Sequence, residues 1–276
     1  MRTVWPRRNF LKLASITFPS VLGLSPTLFG LSAPQGNDPS RSSQTSDIFP
    51  TQPPELAREM VTVAHYDLSR VKELVEARPV LSRAAWDWGF GDWEDALGAA
   101  SHMGNRPIAE YLISRGARPS LFSSTMLGHL DVIKAFVSAQ PGVQRIPGPH
   151  SISLLAHAKA GGEASRAIYE FLQSLGDADA DPSVPLPAGE AERLRGIYRF
   201  GAAMNEQIEV AVDHGALTWT RTGMMGRQLF YLGNLSFYPG GAPKVRIRFR
   251  NEGTATLMII EDPDAVLTAR RKVESK

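Results

Sequence analysis

The residues of this chain best suited to chemistry crowd into one short segment, Ala85-Trp86-Asp87-Trp88-Gly89-Phe90-Gly91-Asp92-Trp93-Glu94-Asp95, where three of the five tryptophans alternate with carboxylates. Rigid indoles flanked by acids make an anchor for a partner surface or a sugar ring. The competing use of the same rings is to pack beneath a long connection and shield the end of a core. Farther along lie His102, His150 and His157. If they converge with Asp87 or Asp92, the set suits general acid-base work, because imidazoles and carboxylates exchange protons with a substrate near neutral pH. The expected binding set is therefore Trp86, Asp87, Trp88, Asp92, Trp93, His102, His150 and His157. The histidine spacing matches no metal motif. Neither a metal nor any other cofactor is expected, and no residue is assigned a catalytic role. The chain has no cysteine, which removes disulfides, thiolate metal sites and cysteine nucleophiles. Ser69-Arg70-Val71-Lys72 spells a Ser-x-x-Lys nucleophile, but it lies where Val71 is wanted in a helix core, and no Lys-Thr-Gly follows.

The elements that must position these residues follow a repeated pattern. Four stretches, Thr62 to Pro79, Ala96 to Ala117, Ser124 to Pro141 and Leu154 to Asp177, each read as a small-residue helix, a turn and a second helix. The second helices carry apolar residues at helical spacing, such as Val71, Leu74 and Val75, or Val132, Ile133, Phe136 and Val137. One such unit cannot bury its apolar stripe alone, so neighbours must stack. The core positions Leu74, Leu112, Phe136 and Phe171 are unevenly spaced, and the variation falls in connections that absorb insertions at little entropic cost. After a Pro- and Asp-rich stretch the pattern changes to period-two alternation with glycine turns. Seven strands are expected, at 196–200, 207–212, 216–221, 228–233, 235–238, 244–250 and 254–260, forming a small antiparallel barrel or sandwich. In Lys244-Val245-Arg246-Ile247-Arg248-Phe249-Arg250 the alternation puts three apolar side chains on one face and Lys244, Arg246, Arg248 and Arg250 on the other. This basic stripe either meets an anionic partner or discourages edge association.

Two resemblances attach to these residues. Asp95-Ala96-Leu97, Ala99-Ala100, Gly104, Ile108, Leu112-Ile113 and Gly116-Ala117, with Gly128-His129 and Val132-Ile133 in the next copy, resemble the ankyrin family. That resemblance implies a stack whose exposed loops hold a protein partner, with the tryptophan segment as a long finger beside the binding face. Leu194-Arg195-Gly196-Ile197-Tyr198, Gly215-Ala216-Leu217 and the run from Arg248-Phe249 to Glu252-Gly253 resemble the small β domain that accompanies serine β-lactamase-like hydrolases. This implies an accessory module and no chemistry of its own.

The chain starts with Pro6-Arg7-Arg8-Asn9-Phe10-Leu11-Lys12, which looks like a twin-arginine export motif, followed by an uncharged, moderately apolar run to Ala33. Removing that segment's four cations turns the formal charge of +2 into −2, so no electrostatic case for nucleic acid exists. The expected organisation is an α+β multidomain chain: a signal peptide over 1–33, a linker over 34–54, ankyrin-like α-hairpin repeats over 55–178, a linker over 179–189, an antiparallel β domain over 190–262 and a tail over 263–276. The expected function is a non-catalytic, exported module that binds a protein partner and meets a membrane only during export. The alternative is a periplasmic small-ligand binder or hydrolase-like enzyme with a Trp/Asp/His pocket on the finger side.

Overall fold

Helix signals written into the sequence set the first half of the chain. A computed structural model describes residues 50–179, 181–253, 255–263 and 265–272; the export motif and residues 34–49 of the spacer lie outside them. Eight helices follow in consecutive pairs: α1 (Pro54–Val63) and α2 (Leu68–Ala77), α3 (Ala96–His102) and α4 (Arg106–Ser114), α5 (Leu121–Met126) and α6 (Leu130–Ala139), α7 (Leu154–Ala160) and α8 (Arg166–Leu175). The starts of α2, α3, α5 and α7 are capped by short polar side chains. Asp67 accepts from the Arg70 amide, Asp95 from Gly98 and Ser153 from Ala156, while Ser120 and Ser123 cap α5 reciprocally. Each such cap satisfies an amide that the helix itself cannot, worth about 1 kcal/mol.

The first helices of successive pairs touch in order, α1 on α3, α3 on α5 and α5 on α7. Met60, Val61, Val71, Leu97, Ile108, Leu112 and Met126 form one buried cluster, and Ile133, Leu154, Ile168 and Leu172 a second. Each such side chain contributes roughly 1.5–3 kcal/mol by leaving water. Close approach of the pairs depends on Gly128, whose φ of 85° is left-handed and whose absent Cβ would collide with the Ala164 carbonyl.

The tryptophan segment is a β hairpin. Strands β1 (Ala85–Asp87) and β2 (Trp93–Asp95) pair antiparallel, Trp86 opposite Glu94, ahead of α3. Gly89, Phe90 and Gly91 all have positive φ, so the tip turns tightly enough for the Trp88 amide to donate to the Asp92 carbonyl.

A short helix α9 (Glu190–Leu194) leads into the β region, where eight antiparallel strands close a barrel: β3 (Gly196–Arg199), β4 (Gln207–Asp213), β5 (Ala216–Arg221), β6 (Arg227–Gly233), β7 (Ser236–Pro239), β8 (Arg246–Glu252), β9 (Ala255–Asp262) and β10 (Ala265–Arg271). The expected count of seven strands is one short, and a barrel replaces the open choice between barrel and sandwich. Residues 265–271, expected in a tail, form the strand that completes the ring, pairing Arg270 with Arg199 and Arg271 with Tyr198. Closure leaves no barrel edge to protect. Tyr198, Phe237, Phe249, Ile247 and Met258 fill the interior, and the Tyr198 hydroxyl donates to the Leu194 carbonyl.

Residues of the basic stripe have acidic neighbours. Ile247 and Phe249 do face inward from β8, but Lys244 precedes the strand, Arg248 pairs with Glu261, and Arg250 lies against Glu252. Those acids neutralise much of the cationic face.

Candidate metal centre

Four side chains from separate parts of the helical region converge on one point. His65 lies just past the end of α1, Glu94 is on β2, His102 is the last residue of α3, and His150 sits in a short turn ahead of α7. One donor atom from each lies within 4.8 Å of all the others. The Nε2 atoms of His65 and His102 stand 3.2 Å apart, and His102 Nε2 is 2.9 Å from Glu94 Oε1. His65 Nε2 and His150 Nε2 approach Glu94 Oε2 at 3.6 and 3.3 Å. Donors about 2.1 Å from a single ion stand about 3.4 Å from one another in a tetrahedral shell. The observed separations bracket that length.

Hydrogen bonds at the far nitrogens of His65 and His150 point their donors inward. His65 Nδ1 lies 3.0 Å from the Val61 carbonyl and 3.1 Å from that of Thr62, so its proton sits on Nδ1 and the lone pair on Nε2. His150 Nδ1 donates to Asp92 Oδ2 at 2.8 Å, and its amide donates to Asp92 Oδ1 at 2.9 Å. This double grip holds His150 at φ 58°, a left-handed conformation costing a non-glycine residue on the order of 1 kcal/mol. Trp88 Nε1 donates to Glu94 Oε2 at 2.8 Å. A carboxylate or carbonyl behind a histidine, and a donor behind a carboxylate, are the outer-shell partners that fix metal ligands in place.

Electrostatics concentrate on the same groups. Burial by itself would push the Glu94 carboxyl up, but hydrogen bonds from His102 and His150 and the attraction of His150 and His65 outweigh it, leaving it at about 2. Burial would lower His150, yet its bonds to Asp92 and Glu94 raise it to about 9. His65 is lowered, chiefly by burial. The cluster thus stores a buried carboxylate that demands positive charge, whether a proton or a cation.

The barrel braces this centre. Arg227, at the start of β6 and nearly fully buried, donates to Asp92 Oδ2 at 3.0 Å, to the Gly240 carbonyl and, at 3.2 Å, to the Gly89 carbonyl. Phe90 at the hairpin tip packs onto the barrel core with its ring 5.7 Å from that of Trp219. Ser151 Oγ accepts the Gly241 amide at 2.8 Å. One chain of contacts therefore runs from barrel strand to Arg227, Asp92, His150 and the convergent donors.

Comparison of the chain with family models, with curated proteins and with solved structures finds no match. The site is read from its own geometry.

The structure distributes the expected binding residues unevenly. His102 and His150 enter the centre, Asp92 stands behind His150, and Trp88, only 8% exposed, stands behind Glu94. His157 is buried beside the centre, its ring 6.4 Å from that of His102. Trp86 packs against the helical core, Asp87 caps the hairpin tip by accepting from the Gly89 amide, and Trp93 stays 65% exposed on the outer face. None of these three joins the cluster. The sequence reading passed over His65, Glu94 and Arg227. A usable signal existed for His65 and His102, which both fall at the ends of first helices and so stack as neighbours. No spacing rule announces Glu94 or Arg227.

Proposed function

We propose that this chain is a metal-binding protein in which His65, Glu94, His102 and His150 hold one divalent transition ion of the zinc class. The observation that carries the reading is the convergence of three Nε2 atoms on the Glu94 carboxylate, with the Nδ1 atoms of His65 and His150 tied outward. Three imidazoles and one carboxylate suit zinc, copper, nickel or iron, whereas calcium and magnesium prefer all-oxygen shells. The ion would tie the first helix pair, the hairpin, the second pair and the turn before α7 into one body, and Arg227 would extend that tie to the barrel.

Isothermal titration of chelator-treated, full-length protein with zinc chloride tests this. One ion per chain, with a raised unfolding temperature, is expected; the absence of stoichiometric uptake overturns it.

The order of helix contacts supports an ankyrin-like stack, and the motif at Arg7-Arg8 supports export by the twin-arginine route, which carries folded proteins. Within that setting, protein binding is a second role. It is favoured by the exposure of Trp93 and Tyr66, which leaves aromatic surface free around the buried centre. Substitution of both by alanine, followed by affinity capture of labelled periplasmic proteins, tests it: partners retained equally by both forms count against the reading. The small-ligand alternative has a place of its own, a cleft of ≈ 520 Å³ beside His150, lined by Ser151, Gln228, Phe230 and Tyr238.

A further inference from the structure

His157 is the group that the four-donor centre leaves unexplained. It is fully buried on α7, its Nδ1 donates to the Ser153 carbonyl at 2.9 Å, and the lone pair therefore lies on Nε2, which has no hydrogen-bond partner. Leaving a buried polar atom without a partner costs about 1–3 kcal/mol, so such atoms call for an explanation. Phe122 packs against the ring at 4.9 Å, and the His102 ring meets it edge-on. The charge of Glu94 is felt at His157, yet its nitrogen is not among the four donors that lie within 4.8 Å of one another. His157 is thus near the centre and one step too distant to be counted with its ligands.

Resting on the metal reading above, we infer that the centre takes an exchangeable protic ligand, water or hydroxide, as its fifth donor, held by a hydrogen bond to His157 Nε2. His157 is a positioning residue in this arrangement. Its neutral, acceptor-only nitrogen selects a ligand that carries a hydrogen, which halides and azide lack. A water held between a divalent ion and an imidazole acceptor is also the position through which a substrate oxygen would enter the shell.

Cobalt(II) loaded into the full-length chain supplies the test. The wild type should show the weak visible bands of a five-coordinate ion. His157→Phe, which fills the space and removes the acceptor, should intensify them several-fold toward a four-coordinate spectrum while changing cobalt affinity by less than about tenfold, the lower end of the range for outer-shell partners. His157→Gln, which keeps an acceptor oxygen, should retain the wild-type spectrum. Identical spectra for wild type and His157→Phe overturn the inference, as does an affinity loss of about a hundredfold or more, which marks a direct ligand. Pulsed electron paramagnetic resonance of the cobalt wild type in D2O reads a bound water without any variant, and a shell with no exchangeable deuteron sinks the proposal. If the wild type takes up neither cobalt nor zinc, the metal reading itself fails.

Discussion

The helical region and the barrel handle buried polarity in opposite ways. Among the described residues, the buried polar and charged side chains include Ser82, Asp92, Glu94, Ser101, Thr125, Gln144, His157 and Ser165 in the helical region, and only Arg227 in the barrel. The barrel encloses an almost wholly apolar interior with closed hydrogen bonding around its ring. Such a core stabilises without offering chemistry. The helical region accepts the cost of a buried carboxylate and several imidazoles, and that cost is offset by the hydrogen bonds that Asp92 and Glu94 take from His150, Arg227, Trp88 and His102. The difference teaches that the site belongs to the helices and hairpin, while the barrel braces it from outside, with Arg227 as its one buried cation among the described residues.

The sharpest way to break this comparison is at that cation. Arg227→Met leaves Asp92 buried without its guanidinium, and loss of one partner of a buried pair costs roughly 3–5 kcal/mol. Chemical denaturation should show a destabilisation of that size, and zinc titration a weakening of about tenfold or more as Asp92 loosens its grip on His150. A variant that keeps wild-type stability and affinity would show the barrel to be a mere neighbour. Next in size is a ligand. His102→Ala should weaken zinc binding by about a hundredfold or more, which corresponds to about 2.7 kcal/mol, and abolish the zinc-dependent rise in unfolding temperature. The barrel's tryptophan fluorescence from Trp219 should be unaffected.

A third prediction concerns pH. In the metal-free protein the folded-state value of His150 is raised to about 9, so the stability it contributes is fully present below its ordinary value of 6.5 and is lost as pH rises through about 9. Urea midpoints measured from pH 6 to 10 should fall over that window. In zinc-saturated protein the ion takes the place of the proton, and the fall should flatten. The smallest effect is expected on the barrel surface: Arg248→Ala removes an exposed pair with Glu261 and should change stability by about 1 kcal/mol or less, with zinc affinity unaltered.

Much of the architecture was legible in the letters because it depends on local chemistry. Apolar residues at helical spacing announce the helix pairs; period-two alternation announces β3 to β9. The last strand escaped because Ala265-Val266-Leu267-Thr268-Ala269-Arg270-Arg271 buries chiefly Ala269 and shows little contrast between its faces. The site was legible only in fragments. His102, His150 and Asp92 stood out as polar residues near turns, but Trp86, Asp87 and Trp93 share their segment without sharing the centre.

The sequence alone determined the four helix pairs and seven of the barrel strands, that no thiol chemistry is available, and that aromatic and acidic residues are concentrated between the first two helix pairs. These are properties of neighbours along the chain. Only the tertiary structure decided that Glu94 rather than Asp87 turns toward the histidines, that His65 meets His102 across two helix pairs, and that Arg227 reaches Asp92 from the barrel. The physical reason is that hydrogen bonds and donor shells act over about 3 Å in space, and the packing of apolar faces, which follows no rule of sequence distance, chooses which side chains come that close.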